Sequence, residues 1–184
     1  VSDKLGDGIE IRQAWGDAVQ VERRIRLFHG KPAIAVSVAV TNRGEKEVTL
    51  GSASLVDVSK DGWWHLAGVM QAPASMCRPA PEEESGSQET VDYASSDVLA
   101  MVPGRLPGAM VLGALSCLEG SPSVRARFRS GEGGTSLQAV FGLGRTLSPG
   151  ETFVSAWAWL SAEKNGFEGL ERYGDAVAAM SEFP

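Results

Sequence analysis

Apolar residues occupy alternate positions along two neighbouring stretches of this chain, and that period of two constrains the fold more than any other feature. Along Ala18–Phe28 one set of alternate positions is mostly apolar and the other is polar, whereas along Ala33–Thr41 both sets are mostly apolar or small. Successive side chains of a strand point to opposite faces of its sheet. The first stretch therefore predicts a strand with one buried face, and the second predicts a central strand with both faces covered.

Similar patterns along the rest of the chain predict a mainly β protein with about nine strands before a final helix. Short polar turns at His29–Pro32 and Asn42–Glu47 connect three of these strands, which predicts an antiparallel meander that needs a second layer over its apolar face. Gly131–Gly134 predicts a further hairpin. The predicted strands are Leu5–Ala14, Ala18–Phe28, Ala33–Thr41, Val48–Val58, Ser96–Val102, Ala109–Leu118, Val124–Phe128, Leu137–Leu143 and Glu151–Leu160.

The composition agrees with a turn-rich β protein and argues against two classes of partner. The chain has 22 glycines and nine prolines, and its 17 lysines and arginines are outnumbered by 23 acidic residues, for a net charge of −6. A surface with this charge balance suits neither nucleic acid nor an anionic membrane. The apolar run Leu106–Leu118 is too short to span a bilayer, and no signal peptide is visible.

Cysteine usage predicts the compartment. Cys77 and Cys117 are the only cysteines, and although one disulfide is conceivable, their spacing resembles neither a disulfide framework nor a metal site. Free thiols and a cytoplasmic protein are the resulting prediction.

Regular alternation is lost between Asp61 and Ala94, which predicts a long loop. Loops of this length inside a compact domain are usually functional or mobile. The acidic segment Pro79–Ser87 is rich in proline and serine, and is interpreted as a solvated surface loop. The segment before it contains Trp63, Trp64 and His65, which make it a candidate binding region.

The sequence contains no pattern typical of a catalytic, metal or cofactor site. Most carboxylates lie in predicted turns, the two histidines are far apart, and Gly131–Gly134 lacks the strand-loop-helix order of a phosphate cradle. Asp57 and Asp61, close to the tryptophans, are the one carboxylate pair that is not discounted. No catalytic residue, no metal and no cofactor are therefore predicted.

The adjacent tryptophans are a candidate sugar site. In an extended backbone, the rings of Trp63 and Trp64 point to opposite sides, so one of them is expected to be exposed or to meet another surface. A flat ring can stack on the apolar face of a pyranose, with the polar groups of Asp61, His65 and Gln71 nearby. The alternative is that both rings are core residues packed under the long loop.

The last part of the chain predicts a strand followed by a helix. Glu151–Leu160 places Phe153, Trp157 and Trp159 in phase, which predicts that the three share one core-facing side. Asn165 is a suitable helix N-cap, and Glu168 in the first turn suits the positive end of the helix dipole. The predicted apolar stripe of the helix consists of Phe167, Leu170, Tyr173, Val177 and Met180.

A single helix closing a β chain is typical of a connector, and predicts a domain cut from a longer protein. Residues 1–162 are then the β domain, and residues 163–184 are the helix that leads out of it.

Several stretches, in order along nearly the whole chain, resemble one known family. They are Val21–Leu27, Ile34–Asn42, Ser96–Val102, Ala109–Ser116, Leu147–Glu151, Trp159–Ser161 and Gly169–Val177. Together they resemble the N-terminal β-supersandwich domain of the alpha-galactosidase and raffinose synthase group of glycoside hydrolases, the melibiase-like enzymes of clan D. The most specific part is the strand and helix at the end of the chain.

The resemblance implies a fold and a context. The fold is an antiparallel β-supersandwich of the galactose mutarotase-like type with a C-terminal α-helix, and the helix leads into a catalytic barrel. In that family the two catalytic aspartates of a retaining mechanism lie in the barrel, so no residue of this chain inherits a catalytic role. The region Trp63–Met76 matches a loop that reaches an active-site mouth, sometimes of a neighbouring subunit, which would make the parent protein a homo-oligomer. Gln71–Ser75 lacks the tryptophan that the family usually has there.

Three functions follow as hypotheses. The first is a non-catalytic domain that packs its helix and one rim on the barrel of an alpha-galactosidase-like hydrolase, with Trp63, Trp64 or His65 near a galactoside. The second is an autonomous carbohydrate-binding module that uses the same tryptophans. The third is a structural or oligomerisation domain.

Overall fold

The structure, a computed structural model, describes residues 1–61, 66–71, 76–79, 90–95, 97–103, 108–116, 120–129 and 134–181. Fourteen strands and one helix lie within these residues. They are β1 (Ser2–Asp3), β2 (Gly6–Trp15), β3 (Val19–Phe28), β4 (Ala33–Asn42), β5 (Val48–Asp61), β6 (Leu66–Gln71), β7 (Met76–Pro79), β8 (Thr90–Ser95), β9 (Val98–Pro103), β10 (Ala109–Ala114), β11 (Ser121–Arg129), β12 (Gly134–Leu147), β13 (Thr152–Val154), β14 (Ala158–Glu163) and α1 (Gly166–Met180). All described strand pairs are antiparallel, which confirms the mainly β prediction.

The described strands form two sheets. The large sheet has the order β1-β2-β3-β4-β14-β10-β9-β6-β7, with β13 also paired to β4, and the small sheet has the order β5-β12-β11-β8. The inner face of the large sheet packs on the small sheet, through a core that includes Val38, Leu112, Val124 and Phe141. Its outer face packs on α1, through a second core that includes Ala35, Val111, Trp159, Tyr173 and Ala176. The large sheet is therefore the middle layer of the molecule.

Strand β4 is the central strand that its sequence predicts. It lies between β3 and the pair β13 and β14. Val36, Val38 and Val40 belong to the inner core, whereas Ala33 and Ala35 belong to the outer core. Small residues on the outer side leave room for the helix layer above them.

The predicted meander is wrong at its third strand, because β5 leaves the large sheet and pairs with β12 in the small one. Asn42, 0% exposed, lies at this corner. Its Nδ2 donates to the carbonyl oxygens of Lys46 (2.8 Å) and Leu147 (3.0 Å), and its Oδ1 accepts from the amide of Gly44 (3.0 Å). A buried amide with these partners connects the turn after β4 to the end of β12, and so directs the chain into the second sheet.

The predicted long loop between Asp61 and Ala94 is also wrong, since β6, β7 and most of β8 lie there. Strands β6 and β7 form the far edge of the large sheet, and β8 forms an edge of the small one. They are short, and β7 ends at Pro79, a residue that strands tolerate mainly at edges. In β6, for example, Ala67 and Gly68 follow Leu66, and Val69 and Met70 are adjacent, so no period of two is visible.

The predicted strand Glu151–Leu160 is interrupted by a bulge. Val154 pairs with Ala39 and Ala158 pairs with Val36, so three residues on one strand oppose two on β4. The amide of Ser155 donates to the carbonyl of Val38 (2.8 Å), and the Val38 amide donates to Ser155 Oγ (3.0 Å). One extra residue reverses the side to which the following residues point.

The prediction that three aromatic residues share one face is wrong, because the bulge lies between them. Phe153 belongs to the inner core, whereas Trp159 belongs to the outer core, where its ring centroid lies 5.2 Å from that of Phe28. Trp157 is only half-buried, under the guanidinium of Arg26 at 5.0 Å. Because the bulge reverses the faces, one segment supplies large rings to both cores.

Helix α1 begins as predicted, and four of the five residues of its predicted apolar stripe, Leu170, Tyr173, Val177 and Met180, pack on the outer core. Asn165 Oδ1 accepts from the amide of Glu168 (3.0 Å), and Asn165 Nδ2 donates to the Glu168 carboxylate (2.9 Å), which confirms the N-cap. The fully buried helix residues are Gly166, Gly169, Tyr173 and Ala176. Phe167, predicted to be buried, is 71% exposed, because the glycines and not the large residues occupy the closest approach to the sheet.

Two glycines set the distance between α1 and the sheet. A Cβ on Gly169 would lie 2.4 Å from Cγ2 of Val111, and one on Gly113 would lie 2.4 Å from Cε2 of Tyr173. The Tyr173 hydroxyl donates to the carbonyl of Ala114. The helix therefore rests directly on β10, and a hydrogen bond fixes its position there.

We expect Gly169→Ala to lower the free energy of unfolding by about 1–2 kcal/mol, because overpacking outweighs the better helix propensity of alanine. Gly174→Ala is the matched control on the same helix, since a Cβ there meets nothing within 4 Å. It should raise the free energy of unfolding by up to about 1 kcal/mol. Urea denaturation measures both, and a stabilising Gly169→Ala would contradict the close packing of α1.

We expect Ser155→Ala to lower the free energy of unfolding by about 1–3 kcal/mol, because it leaves the buried Val38 amide without an acceptor. Ser37→Ala is the control: Ser37 is 0% exposed, yet its hydroxyl has no hydrogen-bond partner in the described part of the chain. Removal of the Ser37 hydroxyl should change the free energy of unfolding by less than about 0.5 kcal/mol, or should raise it. Equal losses in the two variants, measured by thermal or urea unfolding, would exclude a specific role for the bulge.

Candidate functional site

The structure describes only part of the predicted sugar site. Trp63, Trp64 and His65 lie outside the described residues, and so do the side chains of Asp61 and Gln71. The backbone places Asp61 opposite Gly134 in the small sheet, and Gln71 opposite Leu99 in the large sheet. Their roles in sugar binding stay predictions.

The predicted carboxylate pair lies on one strand. Asp57 and Asp61 are both in β5, where their backbones pair with Gln138 and Gly134 of β12. The Asp57 side chain is exposed and accepts a hydrogen bond of 3.3 Å from Gln138 Nε2. It also lines a cleft, which provides a second candidate site.

The cleft opens between β5 and the inner face of β3 and β4, where the small sheet ends. Its volume is about 510 Å³. The floor is apolar and includes Val21 and Leu50, and the polar residues on its walls are Arg23, Thr49, Ser52, Ser54 and Asp57. A cleft with an apolar floor and a few polar groups is typical of a small-molecule site.

Trp15 supplies an aromatic surface at the cleft. It is the last residue of β2, is 49% exposed, and pairs with Val21 of β3. The guanidinium carbon of Arg23 lies 5.6 Å from the Trp15 ring centroid, a cation–π distance that holds ring and cation side by side. An indole, a cation, a carboxylate and hydroxyls are the groups that can bind a polyhydroxylated ligand.

Trp15 is not among the predicted site residues, although the sequence contains a signal for it. Ile9, Ile11 and Trp15 are in phase, and their alternation continues one residue beyond the predicted strand Leu5–Ala14. The structure shows Ile9 and Ile11 exposed beside Leu27, on the part of the inner face that the described small sheet does not cover. The apolar surface therefore continues from the cleft along β2 and β3.

The buried charges on the outer face are structural. Arg26, 5% exposed, pairs with Asp3 and with Glu10 Oε2 (2.9 Å). Burial alone raises the pKa of Glu10, but hydrogen bonds from Arg26 and Arg12 and their charges outweigh it and lower that pKa. Burial alone would lower the pKa of Arg26, but the hydrogen bonds to Glu10 and Asp3 and the charges of these two carboxylates outweigh it and raise that pKa. Ionised groups that neutralise each other in this way are poor acids or bases at neutral pH.

The described residues include neither a cluster of metal-binding side chains nor a helix that could span a membrane. Among them, no three or more side chains of histidine, cysteine, aspartate or glutamate group in a way that could hold a metal ion. No described helix has the length and apolar character of a membrane span. Cys117 and the side chain of Cys77 lie outside the described residues, so free thiols and the cytoplasmic location stay predictions.

Comparisons with known proteins place the fold. No protein-family model and no curated protein matches the sequence. Among solved structures, the GH36 alpha-galactosidase AgaA from Geobacillus stearothermophilus in complex with stachyose matches with a TM-score of 0.58 and 16% identity, over 89% of this chain and 25% of that chain. The galactosidase domain of the alpha-galactosidase-sucrose kinase AgaSK matches with a TM-score of 0.57 and 14% identity, over 88% and 25% of the two chains.

A third match identifies the fold type. A proposed aldose 1-epimerase from Klebsiella pneumoniae matches with a TM-score of 0.55 and 8% identity, over 95% of this chain and 56% of that chain. The chain has a galactose mutarotase-like sandwich fold. This confirms the fold that the sequence resemblance implied. This chain spans only about a quarter (25%) of the length of the alpha-galactosidase AgaA.

Proposed function

We propose that the chain is a non-catalytic sandwich domain of an alpha-galactosidase-like glycoside hydrolase. The observation that carries the proposal is the match of 89% of this chain to a quarter (25%) of the GH36 alpha-galactosidase AgaA. In this proposal, residues 1–162 are the sandwich and residues 163–184 lead to a catalytic barrel. The two carboxylates of a retaining mechanism belong to that barrel.

Two features of the described residues favour a non-catalytic domain that packs on the barrel. Two half-buried carboxylates form ion pairs with arginines: Glu10 with Arg26, and Glu163 with Arg172 at 3.1 Å. In addition, α1 buries its glycines on the sheet and exposes 71% of Phe167 in its first turn. Burial of one phenylalanine contributes about 2 kcal/mol, so Phe167 is a suitable anchor for the barrel.

The rim of the domain is proposed to contribute to the sugar site of the parent protein. The set for this role is the one predicted from sequence: Trp63, Trp64, His65, Asp61 and Gln71. The ligand is a galactoside, and the remaining specificity comes from the barrel.

The docking role is tested by Phe167→Asp in two contexts. In the chain of residues 1–184, the substitution should change the free energy of unfolding by less than about 0.5 kcal/mol, because the side chain is already exposed. In a longer polypeptide that contains the barrel, it should lower the melting temperature of the barrel and its turnover of aryl alpha-galactosides. No effect in the longer polypeptide, or turnover by residues 1–184 alone, would contradict the proposal.

A second candidate function, a carbohydrate-binding module, is favoured by the cleft at Trp15. Galactose, melibiose and raffinose can be titrated into residues 1–184 while tryptophan fluorescence is followed. We expect no saturable change, because a supporting domain needs the barrel to complete its site. A saturable change that Trp15→Ala abolishes and Trp63→Ala retains would instead establish the cleft as an autonomous sugar site.

A further inference from the structure

A second cavity lies on the outer side of the large sheet, and the proposed function does not use it. Its volume is about 460 Å³. The N-terminal segment contributes Lys4, the turn between β3 and β4 contributes Lys31, and α1 contributes Arg172 and Asp175. The ring of Trp159 forms part of the wall. The cavity therefore lies between the N-terminal hairpin and the helix, and we refer to it as the hairpin–helix pocket.

The charge of the hairpin–helix pocket is opposite to that of the whole chain. Three cationic side chains and one carboxylate line it, although the chain has a net charge of −6. Cations grouped in a concave site concentrate anions there. An anionic ligand is the chemistry that such a pocket selects.

The pocket also has more hydrogen-bond donors than acceptors. Lys31 Nζ donates one bond, to the carbonyl of Leu5 at 2.9 Å, and an ammonium group has two more to give. Arg172 uses Nε in its 3.1 Å pair with Glu163, which leaves its terminal nitrogens. Lys4 has no ion pair, and the buried Nε1 of Trp159 has no hydrogen-bond partner, among the residues that the structure describes.

We propose that the hairpin–helix pocket binds a small phosphate ester. Phosphate oxygens only accept hydrogen bonds when ionised, and arginine and lysine are the side chains that bind them most often. A cavity of about 460 Å³ is in the size range of small-molecule sites, and is larger than one phosphate group fills. The carboxylate of Asp175 can accept a hydrogen bond from a hydroxyl of the ester, so the organic part carries at least one hydroxyl group, as a hexose phosphate does.

Binding would connect the two ends of the described chain. Lys4 and Lys31 belong to the N-terminal half, whereas Arg172 and Asp175 belong to the final helix. A ligand that binds both in the folded state, and neither in the unfolded chain, raises the melting temperature by mass action. At ten times the dissociation constant, the expected rise is about 4 °C for a chain of this size.

The test uses residues 1–184 with inorganic phosphate, glucose 6-phosphate and glucose, at an ionic strength held constant with potassium chloride. Glucose 6-phosphate should raise the melting temperature and bind at least about tenfold more tightly than inorganic phosphate by calorimetry, because only the ester reaches Asp175. Glucose alone should have no effect. Equal affinity for the two phosphates would overturn the assignment of an organic part.

Three variants are expected to weaken phosphate binding, strengthen it and leave it unchanged, respectively. Lys4→Gln should weaken binding of both phosphates about tenfold, because a charge-assisted bond is lost. Asp175→Asn removes a repulsive charge, and should strengthen inorganic phosphate binding while reducing the preference for the ester. Lys46→Gln, at an exposed lysine in the turn between β4 and β5, should change neither affinity.

The proposal is overturned if phosphate raises the melting temperature no more than chloride does. It is also overturned if Lys4→Gln and Lys46→Gln have equal effects, since binding would then depend on overall charge and not on this pocket. Unfolding temperatures of the unliganded variants show whether each still folds.

Discussion

A pair of hydrogen bonds between Ser155 and Val38 decides how the end of the chain, from β14 onward, packs. The bulge that they close adds one residue opposite β4, and the added residue reverses the faces of β14 relative to β13. Without it, Trp159 would point with Phe153 into the space between the two sheets. With it, Trp159 lies under α1, and each core receives one large ring. The three-layer arrangement depends on this reversal.

The packing of the helix on the sheet depends on glycine residues. Because Gly113 and Gly169 allow α1 and β10 to approach closely, Tyr173 can reach the carbonyl of Ala114. The same orientation turns Phe167 outward. One choice of helix face thus both seals the outer core and leaves an apolar side chain free for a neighbour, which is why a supporting role in a larger enzyme agrees with the packing.

The sequence was informative where a strand is long and central, and where a helix cap is local. β3, β4 and the Asn165 cap follow directly from periodicity and from the bonding capacity of one side chain. The bulge and the move of β5 to the second sheet depend on partners more than 100 residues away, Val38 with Ser155 (117 apart) and Asn42 with Leu147 (105 apart), and no local pattern contains them. The predicted helix stripe is likewise right at four of its five residues, but a stripe defined by large side chains does not include Gly169, which lies against Val111 of β10. The cleft was missed for a related reason: Trp15 ends one strand, while the polar wall opposite it belongs to the other sheet.

The position of β4 between strands from opposite ends of the chain has a consequence for biosynthesis. Strand β4 is apolar on both faces, but one of its edges is covered only by β13 and β14, from the far end of the chain. A nascent chain that has emerged only as far as Leu147 would expose that edge, with its unpaired amides and carbonyls, to every other nascent chain nearby. Topologies dominated by such distant pairings fold slowly. Nearly the whole domain must therefore leave the ribosome before both edges of its central strand are paired.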